Sequence, residues 1–246
     1  MGYSFLPRRG QDSVFTVAAS EAMLSSTLHR AMPGVYGVYT FSRELSGRPG
    51  VHVIAARCAP MEVILAAHST CVMNVISYNK AYCLFPRATL EERRSLMTSV
   101  AVGPGRLGTA GFFKNSDTGH RLITTLPPEE TSMDRPSRSF PCGPRWIGDR
   151  DTWLIQLNMR DVLPPPPPNA VSSPRRHDPV VMTSFSMRYD DDEGATLHFY
   201  VVDSPAIRYA FVCGDEDTAE YLAHVLLAKT DEEEYRITST PWVDWT

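Results

Sequence analysis

Lysine is almost missing from this chain. Of its 24 basic residues only Lys80, Lys114 and Lys229 are lysines, and the rest are arginine. Arginine carries a planar donor fork that suits carboxylates and phosphates. The imbalance therefore points toward interfaces with acidic surfaces, although a GC-rich coding sequence produces the same bias. Long apolar runs are missing too. No stretch of eighteen apolar residues occurs, which excludes a membrane-spanning helix. The opening stretch, residues 1–13, holds no apolar signal core, so an intracellular protein, cytoplasmic or in an organelle matrix, is expected and secretion is not. Gly2 invites a myristoylation reading, but Leu6 stands where that signal wants Ser or Thr. Cysteine is present without a framework. Cys58, Cys71, Cys83, Cys142 and Cys213 are odd in number and include no Cys-x-x-Cys pair, which fits reduced thiols. Signatures of catalysis are also lacking: there is no nucleophile elbow, Walker loop or His-Glu-x-x-His.

What is present is the composition of a folded protein. Across 246 residues, 43% are hydrophobic and 21% charged, enough apolar material for a sizeable core. The net charge of −4 hides an asymmetry. Residues 187–246 hold fourteen acids against four bases, and residues 1–186 hold fourteen against twenty. A dipolar layout of this kind can steer a partner, or simply solvate an acidic end.

Periodicity gives a coarse map. SVFTVAAS (13–20) reads as a short strand, and EAMLSSTLHRAM (21–32) as a helix capped by Ser20 and ended by Pro33-Gly34. VYGVYTF (35–41), VHVIAARC (51–58), MEVILAAH (61–68), CVMNVISY (71–78) and AYCLF (81–85) read as strands of an antiparallel meander. Thr89-Leu90-Glu91-Glu92 has the form of a capping box and predicts a helix over 90–99. Twelve of the twenty prolines fall in 127–179, including the run Pro164, Pro165, Pro166, Pro167, Pro168. Proline cannot donate to a ladder and disfavours helix, so this stretch is expected to be mostly loop and polyproline II. One strand-like island, 145–159, interrupts it, with Trp153, Ile155 and Leu157 on one face.

The last block is the most legible. Strand 180–189, the turn Asp190-Asp191-Asp192-Glu193-Gly194, strand 196–202 and strand 207–213 lead into a helix over 217–229. Asp217-Thr218-Ala219-Glu220 serves as its capping signature, and Leu222, Val225 and Leu226 form its apolar face. The chain thus divides into an N-terminal portion (1–126), a Pro-rich connection (127–179) and a C-terminal portion (180–246), which together with the first could form one domain. The predicted class is α+β, mainly antiparallel, with a few short helices and Pro-rich insertions. A hairpin closed by an amphipathic helix resembles the end of a pleckstrin-homology-like or phosphotyrosine-binding-like domain. That resemblance spans about 35 residues and implies a binding module for a peptide or a phospholipid headgroup.

Several constellations match motifs without their context. Gly103-Pro104-Gly105-Arg106-Leu107-Gly108 spells a dinucleotide fingerprint, but the following Thr109-Ala110-Gly111-Phe112-Phe113 does not open a helix, so a structural turn is expected. His68, Cys71 and Cys83, with His52 or Cys58, contain one close ligand pair and lack the second that zinc sites use. Ser77-Tyr78-Asn79-Lys80 matches Ser-x-x-Lys, yet it falls in an expected β-turn rather than at a helix start. Arg93, Arg94, Arg106, Lys114, Arg121, Arg135, Arg138, Arg145, Arg175 and Arg176 supply basic material, and Phe112, Phe113 and Trp146 could stack on bases. A pI near 6.0 and the lack of any recognised module argue against nucleic acid.

No cofactor or metal is expected. The reading that best fits is a non-catalytic adaptor or structural subunit of a larger protein assembly. A headgroup- or peptide-binding module is the alternative, and an enzyme with a dispersed site the third. The residues expected to meet partners are Trp242 and Trp245 of the tail PWVDWT, whose indoles would be costly to leave in water, and the Pro164–Pro168 run as a polyproline ligand or stiff spacer.

Overall fold

The turn at Asp190 shows how the acidic block serves the fold. The Asp190 carboxylate accepts the backbone N–H groups of Asp192 and Glu193 at 2.8 and 3.1 Å, and Gly194 takes φ +75°. The side chain thereby replaces a turn bond, and glycine supplies the left-handed residue. The strands on either side then pair in the register that this turn dictates, Asp190 opposite Gly194 through Ser186 opposite His198.

The structure is a computed structural model and describes residues 2–24, 34–43, 50–77, 79–102, 105–107, 119–131, 137–159, 179–204, 206–207 and 209–233. In chain order the elements are β1 (Ser4–Leu6), α1 (Phe15–Leu24), β2 (Val35–Ser42), β3 (Val51–Ala56), α2 (Pro60–Leu65), β4 (Asn74–Ile76) and β5 (Lys80–Cys83). Next come β6 (Arg94–Leu96), β7 (Thr98–Val102), β8 (Gly105–Leu107), β9 (Arg121–Ile123), α3 (Pro128–Thr131), β10 (Gly143–Trp146) and β11 (Trp153–Gln156). Last are β12 (Ser184–Asp190), β13 (Gly194–His198), β14 (Tyr200–Val202), β15 (Phe211–Cys213) and α4 (Glu216–Glu233). The class is α+β with mostly antiparallel sheets and few short helices. The sheets are ordered β1-β2-β3, β10-β12-β13-β7-β8, β11-β5-β4, β14-β15 and β6-β9. None of these sheets closes into a barrel.

The five-stranded sheet draws strands from the N-terminal stretch, the Pro-rich stretch and the C-terminal stretch. Its β13–β7 pair is parallel, as is β6–β9, and its other pairs are antiparallel. One face carries Phe185, Met187, Ala195, Leu197 and Val100, all buried, into the main core with Leu65, Met73, Leu84, Phe85, Leu96, Phe140 and Ile147. α4 closes the β14–β15 pair from the other end. Ala219 is buried against Val202 and Cys213, while Leu222 and Leu226 are half-buried there.

Several elements differ from the sequence-based expectation, each for a local reason. Residues 15–20 are the first half of α1 rather than a strand. Asp12 Oδ1 accepts the Val14 N–H at 2.7 Å and starts the helix early, and Phe15 packs among Phe5, Tyr39 and Phe41 with ring centroids 5.2–5.8 Å away. Residues 25–33 lie outside the described residues, so the rest of the expected 21–32 helix does too. The stretch 61–68 begins as α2 instead of a strand, because Pro60 stands in its first turn with φ already set for helix. The expected 90–99 helix is a single wide turn, Arg87–Glu91, closed by Glu92 N–H to the Arg87 carbonyl at 3.0 Å, and the chain is extended again from Arg94. Glu92 does not complete a capping box. Its carboxylate accepts from Ser139 and Arg94 instead. α4 is capped by Asp215, two residues before the expected Asp217, through a 2.8 Å bond from the Thr218 N–H. Within the Pro-rich stretch, residues 128–131 and 143–146 are regular, as α3 and β10.

Glu62 in α2 is 5% exposed, and Gly34 lies against it at φ +73°. A Cβ on Gly34 would come within 2.6 Å of Glu62 Oε1. Burial pushes the Glu62 pKa above its ordinary 4.5, against the opposing pull of Arg57. Oε2 has no hydrogen-bond partner among the described residues. A folded pKa above the unfolded one means stability present below about pH 4.5 and lost as pH rises through the folded value. Glu62→Gln is therefore expected to raise the melting temperature at pH 7.5 and to have little effect at pH 4. Thermal scans of both chains at the two pH values check this, and a lower Tm for the variant at pH 7.5 would contradict it.

Candidate functional site

The face of the five-stranded sheet turned away from the core is polar. Alternation puts Ser184, Ser186 and Arg188 of β12 on it, opposite Trp146 and Pro144 of β10 and next to Thr196 and His198 of β13. Tyr200 and the Gly214–Glu216 entry to α4 rise beside it and complete an open groove of about 730 Å³. Ser186 lies directly across from His198, and Arg188 two residues further along the same face. These three side chains have no hydrogen-bond or ion-pair partner among the described residues. Two other polar groups are engaged: Ser184 Oγ accepts the Gly214 N–H at 2.9 Å, and Trp146 Nε1 donates to the Val181 carbonyl at 2.7 Å.

The electrostatics of the groove are divided. Burial, and then the neighbouring Arg188 cation, hold the His198 imidazole below its ordinary value, which favours its neutral form. Burial and the neighbouring Glu216 carboxylate raise the Tyr200 phenol, which favours its neutral form. In the same lining, hydrogen bonds from Thr218 hold the Asp215 carboxyl down, which favours its ionised form. The groove thus offers an unpaired guanidinium, an imidazole and a hydroxyl, and its lining also includes the carboxylates of Asp215 and Glu216.

Beneath it, Arg145 ties the groove to the core. Its side chain is 2% exposed and is held by Asp149, by the Leu84 carbonyl at 3.1 Å and by Thr152 Oγ1 at 3.2 Å. Its Cζ also lies 5.4 Å from the Phe85 ring centre and 5.6 Å from that of Phe185. Nη1 has no conventional partner among the described residues. A guanidinium flanked by two ring faces is compensated in part by their quadrupoles.

A second surface lies on the β11-β5-β4 sheet. β11 has β5 on one side and no strand on the other among the described residues. Register sets Ile155, Ala81 and Ile76 side by side, with Trp153 two residues from Ile155 on the same face. Trp153 is 43% exposed, Ile155 53% and Ile76 77%, so these three apolar side chains stand open on a face that also carries exposed Asn74 and buried Cys83. Trp153 also walls a polar cleft of about 550 Å³ with Pro86, Arg87, Arg138, Pro141 and Arg150. Arg87 meets Glu91 and Glu92 only at 3.7 and 3.8 Å, Arg150 is 93% exposed, and Arg138 has no ion-pair partner among the described residues.

The residues singled out from sequence fare unevenly. Trp242, Trp245 and Pro164–Pro168 lie outside the described residues, as do Lys114, Arg135, Arg175 and Arg176. Gly105–Leu107 is strand β8, paired antiparallel with β7, so this part of the glycine-rich stretch does not open a helix. Among the described residues no group of three or more His, Cys, Asp or Glu is arranged to hold a metal ion. Burial raises the pKa of the Cys58 and Cys83 thiols. Ser77 and Lys80 face each other across the β4–β5 turn, Ser77 N–H to the Lys80 carbonyl at 2.8 Å, rather than sharing a helix face. Arg94 is bound by Glu92 and Glu130 and Arg145 by Asp149, so these two arginines form no continuous basic stripe. No helix among the described residues is long and apolar enough to cross a membrane. Comparison with known protein families, with curated proteins and with solved structures found no match.

Ser186, Arg188, His198 and Arg150 were not singled out from the sequence. The first three did carry a signal. In SFSMRYD and TLH, small or charged polar residues alternate with buried apolar ones, which marks an outward polar face.

Proposed function

We propose that the chain is a non-catalytic docking subunit, an adaptor in a larger protein assembly, and that it docks through the β11 sheet. One observation carries this reading. An aromatic and aliphatic face, Trp153, Ile155 and Ile76, stands open on a sheet whose edge strand has a free side among the described residues. Open apolar edges are blunted in proteins that stay alone, and exposed tryptophan is a frequent anchor of interfaces. The occupant is an extended acidic segment of a partner protein. Its backbone would add to β11, its apolar side chains would cover Ile155 and Ile76, and its carboxylates would reach Arg87, Arg138 and Arg150. The cleft fits that charge, with three guanidiniums set against the carboxylates of Glu91 and Asp151.

Trp153→Ala and Ile155→Glu are expected to weaken partner binding by about 2 kcal/mol or more, the size of a hot-spot loss. Both side chains are exposed, so the melting temperature should hold. The check is native mass spectrometry of wild-type and variant chains purified from their own cells. A stoichiometric acidic partner present with wild type and absent from both variants supports the reading. A partner retained by both variants removes the β11 surface from consideration.

A further inference from the structure

We infer that the groove on the outer face of the five-stranded sheet is a binding site for a small dipolar ligand. Its oxyanion group, a phosphate or a carboxylate, is held by Arg188, His198 and Ser186, and its cationic end lies toward Asp215 and Glu216.

The anionic half follows from three unpartnered groups converging on one face. Arg188 presents a guanidinium fork that grips oxyanions in two-point fashion. Ser186, across the strand pair from His198, offers a hydroxyl that can donate to the same oxygen set. Burial and the Arg188 cation favour the neutral imidazole, and an anion arriving beside it favours the protonated form. The titratable and charged groups that share the groove with His198 are Arg188 from β12, Tyr200 from β14 and the Asp215–Glu216 pair at the entry to α4, and of these Arg188 is the one whose charge acts on the imidazole. The Arg145–Asp149 pair below is already mutually satisfied.

The cationic half follows from the carboxylates of Asp215 and Glu216 in the same lining. A simple anion filling the groove would face two carboxylates. A ligand that places an ammonium there meets them favourably, and the flanking Trp146 and Tyr200 rings suit a cation as well. The volume, about 730 Å³, is that of a small-molecule site. This site and the β11 surface share no residue, so either can fail without the other.

The test uses the full chain with its histidine rings isotopically labelled, the His198 signal being assigned with H198Q. Inorganic phosphate, ethanolamine and phosphoethanolamine are titrated in turn at pH 6.5. Phosphoethanolamine is expected to shift the His198 signal and raise its pKa, with an affinity about tenfold above that of inorganic phosphate, since one added charge-assisted contact is worth about that much. Ethanolamine alone is expected to leave the ring unshifted. Arg188→Gln should abolish the phosphate response. Glu216→Gln should keep phosphate binding and erase the tenfold preference. Both side chains are exposed, and unchanged melting of each variant verifies the fold. Capture of the protein by vesicles of phosphatidylethanolamine would assign the ligand to a lipid headgroup, and response to the soluble compound alone to a metabolite. Three results would each overturn the assignment: no shift at His198 with any probe, equal affinity for phosphate and phosphoethanolamine, or a response untouched by R188Q.

Discussion

Arg145→Met is expected to lower the unfolding free energy by about 3–5 kcal/mol, the usual consequence of removing one partner from a buried ion pair. Methionine matches the volume of the aliphatic stem but returns nothing to the groups that the guanidinium binds. The Leu84 carbonyl and Thr152 Oγ1 are left without that donor, and Asp149 without its counter-charge while still accepting from the backbone at Trp146 and Asp151. The guanidinium joins β10, the end of β5 and the turn before β11, so both candidate surfaces loosen together when it is removed. Urea denaturation followed by tryptophan fluorescence measures the effect, and a change below about 1 kcal/mol would show that the ring faces and the remaining turn bonds suffice without the ion pair. The pH dependence supplies a second readout. Burial alone would raise the Asp149 carboxyl, but the hydrogen bonds and charge of Arg145 outweigh it and hold the pKa below its ordinary 3.8. A depressed folded value means stability present above about pH 3.8 and lost as pH falls through the folded pKa. That acid limb should be shallower in R145M.

Gly214→Ala is expected to cost about 3 kcal/mol, at or above the upper end of the range for overpacking. Added at Gly214, a Cβ would lie 2.6 Å from both Cα and N of Phe185 and 2.7 Å from its carbonyl carbon. Those atoms belong to the backbone of β12 and cannot rotate away as a side chain could. Relief requires α4 and β15 to move off the sheet, and the Gly214 N–H bond to Ser184 would break with that movement. The same shift would widen the groove beside Ser186 and His198. Calorimetry of the variant checks the size, and a Tm within a degree or two of wild type would mean that β12 gives way more easily than its central position in the sheet implies.

Much of the fold was legible where residue chemistry is local. VYGVYTF became β2, VHVIAARC became β3 and AYCLF became β5, because β-branched and aromatic residues suit a pleated surface wherever it lies. The Asp190–Gly194 turn and the α4 helix were equally clear, the one from turn chemistry and the other from a 3.6-residue period. Readings failed where two local signals competed. MEVILAAH is apolar enough for a strand, and the single preceding proline tipped it to helix. Thr89–Glu92 has the letters of a capping box, but the Glu92 carboxylate is held by Arg94 and Ser139 instead, and Ser139 approaches from a distant part of the chain.

The candidate sites were legible only in fragments. Alternation in β11 placed Trp153, Ile155 and Leu157 on one face, but could not tell that this face looks outward. Exposure depends on which sheet lies beneath, and the buried side of β5 and β4, Tyr82 and Val75, lies toward the main core.

By itself the sequence determined the α+β class, the Asp190–Gly194 turn, the terminal helix and the lack of a long apolar run. Those properties follow from side-chain period and turn geometry within ten or so residues. The tertiary structure alone decided that β7 runs parallel to β13, nearly a hundred residues away in the chain, and that Arg145 from the Pro-rich stretch is the buried cation of the core. It also decided that Ser186, Arg188 and His198 face the entrance of α4 across a groove. Such pairings are settled by the free energy of burying whole faces against one another. That quantity belongs to the assembled core and has no counterpart in any short window of residues.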